Sequence, residues 1–290
     1  MAAPLRLVLL GFQYAVMAAI YLILVAIILR HAHVTQASSV DAMGIACVGL
    51  AVGTALQALP RGPVGSGFLA PPVFSAVYLA PSVLAAQIGG LPLVFGMTLV
   101  AGAVEVLVAL VLNRLRTVIT PVLSGLTVFV VGLQLGVVGI GETLDVRHEA
   151  LPTFPLHLIV TTLTLMVCVG LSIWGRGTLK LLCSSLGLIV RMAGAAVIGL
   201  IDPAKLAIIG HTSWVALPRP AFLQLRFDTG LMPAFLAAGI AASLRAVGVI
   251  TTCQRINNAA WRRPGRVNIR KGVLADGLSN VVGPPLGSLA

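Results

Sequence analysis

Charged side chains are scarce in this sequence. Only 9% of its 290 residues are Asp, Glu, Lys or Arg, whereas 58% are hydrophobic. Soluble domains contain about 25% charged residues. A water-soluble fold of this length would lack the polar residues needed to cover its surface, so the composition excludes an ordinary soluble domain and indicates a protein whose solvent is lipid.

Several chemical signatures are missing as well. The four cysteines lack the spacing of a zinc site or a disulfide framework. The net charge is +11, but the basic residues are spread over short loops without interleaved aromatics, which argues against a nucleic-acid partner. No phosphate-binding loop, catalytic carboxylate pair or Ser/His/Asp set is present. The sequence therefore predicts neither an enzyme nor a metal centre, and the H-x-H of His31 and His33 is interpreted as solvated.

Long uncharged stretches are what the sequence has instead. A helix needs about 20 mostly apolar residues to cross the hydrocarbon core, and the sequence offers about nine segments of that kind. They are 5–29, 42–60, 66–89, 91–112, 118–140, 153–174, 180–201, 231–253 and 272–290. The predicted fold class is an all-α polytopic membrane protein.

The loop charges support this count. With the N-terminus in the cytoplasm and sides alternating, twelve basic residues fall inside and five fall outside, and every acidic loop residue falls outside. This is the bias that the positive-inside rule predicts. If 66–89 were not a crossing, every later loop would change side and the bias would disappear.

The third predicted span opens with two glycines and two prolines, in the stretch Gly65-Ser66-Gly67-Phe68-Leu69-Ala70-Pro71-Pro72. Such a stretch cannot start a regular helix. Irregular backbone at membrane depth persists only where protein or a polar cavity satisfies it, and broken helices point to transporter sites. A simple kink or a surface loop is the alternative.

Four ionisable residues fall inside predicted spans, where each costs a few kcal/mol at the bilayer centre (about 2.5–3.5 on insertion scales). They are Glu105, Arg191, Arg245 and Asp276. Glu105 and Arg191 are expected to pair with each other, or Arg191 to extend toward the membrane surface. Asp276 either pairs with Arg245 or caps a helix.

Arg245 lies about halfway along its span and is surrounded by small residues, so there is room beside it for something anionic. Those neighbours are Ala241, Ala242, Ser243, Ala246 and Gly248. A ligand contact, an internal ion pair and snorkelling toward the interface are the three alternatives for this side chain.

Five stretches together resemble the nucleobase–ascorbate transporter family, which contains the xanthine/uracil permeases. They are Gly11-Phe12-Gln13-Tyr14, the run from Gly65 to Ser82, Gly89-Gly90-Leu91-Pro92-Leu93-Val94-Phe95-Gly96, Thr251-Thr252-Cys253-Gln254-Arg255-Ile256-Asn257, and Gly272-Val273-Leu274-Ala275-Asp276-Gly277. They follow the order of the family and cover nearly the whole chain.

The resemblance implies a fold of two inverted repeats of seven segments, with a broken third segment and with core and gate domains. Residues 1–112 would form core segments 1–4, and 113–201 would form gate segments 5–7. Residues 202–230 would be an external loop, and 231–290 would begin the second repeat with segments 8 and 9. The resemblance also implies a homodimer in the inner cell membrane that imports a nucleobase with H⁺ or Na⁺ and has no other cofactor.

In this family the ligand lies between half-helices of the third and tenth segments, with side chains from the eighth. Gly67, Phe68 and Leu69 would then offer backbone groups and a ring to the base, and Tyr14 stands where many members have histidine. Family members often have acids at the positions of Arg245 and Val249, for base contact and for coupling. A cation at Arg245 favours an anionic purine such as urate or the xanthine anion, and the apolar Val249 argues against ordinary carboxylate coupling.

The second departure from the family is length, because the tenth segment is expected to be absent. The predicted function is secondary active transport of a purine such as xanthine or urate. The alternative is a transport-inactive relic, or an accessory subunit of a full-length permease.

Overall fold

The computed structural model contains eight helices and one short 3₁₀ helix in the part of the chain that it describes. That part comprises residues 11, 14–15, 21–70, 76–112, 114, 120–143, 154–176, 179, 182–199, 224–258 and 264–289. The helices are α1 Tyr21–His31, α2 Gln36–Ala58, α3 Ala76–Val111, α4 Pro121–Thr143, α5 Phe154–Trp174, α6 Cys183–Val197, α7 Met232–Asn257 and α8 Arg266–Val282, followed by the 3₁₀ helix Pro284–Leu286. The described residues form no strand, so the all-α prediction is confirmed.

Five of the described helices are long and apolar enough to cross a membrane: α2, α3, α4, α5 and α7. α1 and α6 are apolar but shorter. The 17-residue α8 contains Arg266, Arg270, Lys271 and Asp276, and it is not one of the five. These helices are those of a polytopic membrane protein, whereas the count of nine segments stays a prediction.

The third predicted span differs from the structure at its start. Residues 61–70 lie outside any helix, and Gly65 and Gly67 have φ angles of 99° and 74°, which a residue with a Cβ rarely adopts. The next described residues open α3 at Ala76, ten residues after the predicted start. Residues 71–75 lie outside the described part, and the broken segment remains a prediction.

The boundary predicted between the third and fourth spans coincides with a change in the backbone. α3 consists of two helical stretches that meet at Gly90, whose φ of 68° and ψ of −164° are not helical. Pro92 follows two residues later and has no backbone N–H to continue the hydrogen-bonding pattern.

The last predicted span, 272–290, is placed wrongly at both ends. α8 begins at Arg266, directly after the extended Gly265, and ends at Val282. Gly283 and the two prolines that follow stop it, because prolines cannot donate the next helical hydrogen bonds. Three cations that were predicted in a loop therefore belong to the first turns of a helix.

The chain divides into two compact units. Unit 1 contains residues 1–20 and 135–216, and unit 2 contains 21–134 and 217–290. Within unit 1, α5 packs against α6, and a Cβ on Gly187 would lie 2.1 Å from Sγ of Cys168. The division into core and gate domains stays a prediction.

Unit 2 is built around α3, which packs against α7 and α8. Glycines allow these helices to approach closely. A Cβ on Gly102 would lie 2.7 Å from the backbone carbonyl carbon of Asn280, and one on Gly277 would lie 2.8 Å from the backbone nitrogen of Val106. A Cβ on Gly239 of α7 would lie 2.6 Å from the carbonyl oxygen of Ala101. Small residues at helix contacts are a common means of association in membranes.

Candidate functional site

An ion pair joins α7 to α8 in unit 2. Nη2 of Arg245 donates to Oδ2 of Asp276 over 3.1 Å, and the two side chains are 16% and 5% exposed. Since the small residues Ala242 and Gly248 lie about one turn before and after Arg245, the guanidinium has room to reach the neighbouring helix. Of the alternatives open at Arg245 and Asp276, the structure contains the internal ion pair.

A second polar group lies where α3 meets α8. Glu105 is 0% exposed, and its Oε1 accepts hydrogen bonds from the Tyr78 hydroxyl and, over 3.0 Å, from Nδ2 of Asn280. Tyr78 is also buried, at 1% exposure. This carboxyl group is therefore held by one side chain from its own helix and one from α8.

The ion pair and the Glu105 group are parts of one layer. Asp276 and Asn280 are one helical turn apart on α8, so both face α3 and α7. Gly277 lies between them in sequence, and a Cβ there would lie 2.9 Å from Cβ of Glu105. We call the five side chains of Tyr78, Glu105, Arg245, Asp276 and Asn280 the polar layer.

Two buried atoms of the polar layer have no hydrogen-bond partner among the described residues. One is Oε2 of Glu105 and the other is Nε of Arg245. Buried polar atoms are nearly always paired, and an unpaired one costs about 1–3 kcal/mol. The layer can therefore accept something more: an acceptor for the guanidinium and a proton or a donor for the carboxyl group.

The glycine-rich loop at residues 65–70 lies beside α7 and α8. The Phe68 ring packs against a hydrophobic cluster of unit 2. The residues of that cluster are Ala109, Leu112, Ala246, Val247, Ile250, Ile269 and Val273. Phe68 thus lies against the part of α7 that directly follows Arg245.

The backbone N–H groups of this loop are largely in use. Gly65 donates to the carbonyl oxygen of Lys271, and Gly67 donates to that of Gln57, over 3.2 Å in each case. The Phe68 N–H donates to Oγ of Ser66 over 3.3 Å. The N–H groups of Gly67 and Phe68, which were predicted to face a ligand, are therefore engaged inside the protein. Leu69 is 60% exposed, and its backbone role stays a prediction.

Val249 follows Arg245 by one turn on α7 but lines a separate groove. That groove has a volume of about 470 Å³ and is also lined by Gly125 and Val128 of α4 and by Thr252 and Arg255 of α7. Arg245 is not one of its lining residues. The structure therefore does not place Val249 in the polar layer.

The two remaining predicted residues lie in unit 1. Tyr14 is half-buried there. Arg191 donates from Nη1 to Oγ1 of Thr161 over 3.1 Å, which joins α6 to α5. Glu105 and Arg191 each have other hydrogen-bond partners within their own unit, and the pairing of Arg191 with Glu105 stays a prediction.

Sequence reasoning missed Tyr78 and Asn280. Both lie in apolar stretches, where a polar side chain needs a partner. Asn280 also follows Asp276 by four residues, a spacing that puts both on one face of a helix. This spacing could have identified Asn280, whereas the pairing of Tyr78 with Glu105 depends on the course of α3.

A charged and hydrogen-bonded layer among apolar helices is characteristic of polytopic membrane proteins that move polar solutes, because intramembrane charges mark ligand and ion pathways. Residues 5–290 match the model of a family described as the permease family. The chain belongs to this family of xanthine and uracil permeases.

Relatives with curated names agree with this membership. The chain is 24% identical over 244 residues to the xanthine permease XanP of Escherichia coli K12, covering 80% of this chain and 52% of XanP. It is 27% identical over 269 residues to the xanthine permease XanQ of the same strain, covering 85% and 55%. It is 25% identical over 231 residues to the uracil permease of Bacillus caldolyticus, covering 73% and 50%. The chain thus spans about half the length of these relatives. No solved structure was found to match it.

Proposed function

We propose that this chain serves the secondary active transport of a purine base such as xanthine or urate. The single observation that supports this substrate class is Arg245, a half-buried cation with an unpaired Nε in the polar layer. The names of the relatives do not choose between purine and pyrimidine, since xanthine and uracil permeases both match. The positive charge of Arg245 supports a purine anion as the substrate.

The guanidinium can recognise an anion by its geometry. Arg presents donors in a planar fork that fits two adjacent acceptors of a ring. Asp276 occupies Nη2, while Nε has no partner among the described residues. Urate is an anion at neutral pH and xanthine ionises at mildly alkaline pH, whereas uracil remains neutral. The purine anions therefore gain a charge-assisted hydrogen bond that uracil does not.

We further propose that the protein lies in the inner cell membrane with its N-terminus in the cytoplasm, as a homodimer driven by H⁺ or Na⁺. The distribution of basic residues between loops supports the orientation, and membership of the permease family supports the location, the dimer and the coupling. In such a permease the driving ion moves down its gradient with the base.

Uptake of radiolabelled bases tests the proposal. Cells that lack their own purine uptake would express residues 1–290, and xanthine, urate and uracil uptake would be compared with empty-vector cells. We expect uptake of xanthine or urate above the vector level. Uptake equal to the vector level, with the protein shown by immunoblot to be in the membrane, would contradict the proposal and favour a transport-inactive relic or an accessory subunit.

Arg245→Lys tests the role of the guanidinium. Lysine keeps the charge that faces Asp276 but loses the planar fork. A hydrogen bond to a charged group contributes about 1.5–3 kcal/mol, so KM for urate should rise about tenfold or more. Arg191→Lys is the matched control, because that arginine lies in unit 1. Equal KM values for the Arg245→Lys and unaltered proteins would show that Arg245 does not bind the substrate.

A further inference from the structure

The polar layer carries unequal numbers of positive and negative groups. Glu105 and Asp276 are the only buried carboxyl groups of the described residues, and Arg245 is the cation that pairs with one of them. If both carboxyl groups were ionised, the layer would have one negative charge in excess. An uncompensated charge in a dry interior is very costly, so the layer requires one more positive charge.

A proton satisfies this requirement better than a metal ion. Na⁺ or a divalent ion needs several oxygen ligands around it, and Oε2 of Glu105 has no polar partner among the described residues. The same residues contain no group of three His, Cys, Asp or Glu side chains able to hold a metal ion. A proton needs only one oxygen.

The hydrogen bonds indicate which carboxyl group takes the proton. Asp276 faces the guanidinium of Arg245, and this contact favours the ionised form. In Glu105 both donors, Tyr78 and Asn280, converge on Oε1, which leaves Oε2 for the proton. The groups facing Glu105 are thus Tyr78 from α3, Arg245 from α7, and Asp276 and Asn280 from α8.

We propose that Glu105 binds one exchangeable proton, on Oε2, inside the helix core of unit 2. A proton from the medium forms an O–H bond with Oε2 and converts the carboxylate to a carboxylic acid, and it returns to water when that bond breaks. The use of this proton in transport rests on the proposed function. There, a substrate anion that binds Nε of Arg245 changes the charge around Glu105, and Glu105 supplies the carboxyl group that is missing at positions 245 and 249.

Infrared spectroscopy of the purified protein tests proton binding without any transport. We expect a carbonyl band of a protonated carboxylic acid at neutral pH that shifts in D₂O and disappears reversibly at alkaline pH. Glu105→Gln should abolish the band, whereas Glu142→Gln, which removes a glutamate from the last turn of α4, should leave it. In the unaltered protein, ¹³C labelling of the three glutamates should shift the band, which assigns it to a glutamate rather than an aspartate even if Glu105→Gln does not fold.

Two further variants test the charge balance. Asp276→Asn leaves Arg245 as the partner for an ionised Glu105, so the band should be lost at neutral pH. The double variant Arg245→Gln/Asp276→Asn removes one charge of each sign, so the band should remain. If the protonation of Glu105 did not depend on the charges of Arg245 and Asp276, the band would remain in both variants.

Four results would overturn the proposal: no band in the unaltered protein, a band that does not exchange with D₂O, a band that survives in Glu105→Gln, or a band unchanged in Asp276→Asn. Failure of the proposed function would be seen separately, as uptake of xanthine and urate at the vector level. If uptake is present, Glu105→Gln should retain exchange of internal for external base but lose accumulation driven by a pH gradient.

Discussion

At the scale of single residues, the structure shows which of the polar side chains inside the predicted spans contact one another. Glu105, Arg245 and Asp276 were predicted to be functional or paired because a charge inside a span is costly. Arg245 and Asp276 form the ion pair that was one of the alternatives, while Glu105 accepts hydrogen bonds from Tyr78 and Asn280. A costly residue can thus be recognised from the sequence, but its partner depends on which helices pack together.

The ion pair predicts a specific pattern of stability. Arg245→Gln leaves Asp276 buried without its partner, which should lower the free energy of unfolding by about 3–5 kcal/mol. The double variant Arg245→Gln/Asp276→Asn keeps a neutral hydrogen-bonding pair and should lose much less. Thermal unfolding of the purified proteins in detergent measures both.

Arg191→Gln serves as the control for this experiment, since Arg191 is exposed and bonded to Thr161 in unit 1. It should change stability by less than about 1 kcal/mol. If the single and double variants at the ion pair unfolded at the same temperature, the pairing of Arg245 with Asp276 would not stabilise the fold.

At the scale of helices, three predicted spans begin at other residues than the helices do. α2 begins at Gln36 rather than 42 because the Thr35 hydroxyl accepts a hydrogen bond from the backbone N–H of Ser38, which caps the helix. α3 begins at Ala76 after the glycine-rich loop, and α8 extends over charged residues that hydropathy assigned to a loop. Caps and loop hydrogen bonds determine these ends, and neither contributes to an average over apolar residues.

The space around each glycine predicts opposite effects for two substitutions, one in the close contact of α3 with α8 and one on an open face of α4. Gly277→Ala would place a methyl group against the backbone of Val106, so it should lower the free energy of unfolding by about 1–3 kcal/mol. Gly125→Ala in α4 adds a methyl group where nothing lies within 4 Å, and it should raise that free energy by roughly 0.5–1 kcal/mol through helix propensity.

Thermal unfolding of both variants in detergent tests this contrast. Equal stability of Gly277→Ala and the unaltered protein would mean that α3 and α8 are farther apart than described. Since Gly277 is next to Asp276 and against Glu105, the same substitution should also disturb the polar layer.

At the scale of the whole molecule, the sequence predicts the class of protein, a polytopic membrane protein, more securely than it predicts the residues of the polar layer. Composition alone indicated a membrane protein, and the helices and the family membership agree. The polar layer brings together residues from α3, α7 and α8 that are up to 202 positions apart along the chain, from Tyr78 to Asn280. A single sequence contains no signal for such long-range proximity, so Tyr78 was missed and Val249 was grouped with Arg245.

The charge distribution predicts the orientation of the protein in the membrane. In a variant without the four native cysteines, Asn257→Cys at the end of α7 should react with a membrane-impermeant maleimide only after cells are permeabilised. Thr229→Cys before α7 should react in intact cells, because its loop is predicted to be outside. Labelling of Asn257→Cys in intact cells would show that this end of α7 faces outward, which contradicts the predicted orientation.

The central claim is that the Arg245 cation selects anionic purines, and the ratio of urate uptake to uracil uptake tests it most directly. The measurement compares the unaltered protein with Arg245→Gln/Asp276→Asn, in which the shape of the ion pair is retained and its charges are removed. We predict that the ratio falls about tenfold or more, as expected when one charge-assisted hydrogen bond is lost. An unchanged ratio, at equal amounts of protein in the membrane, would contradict the claim.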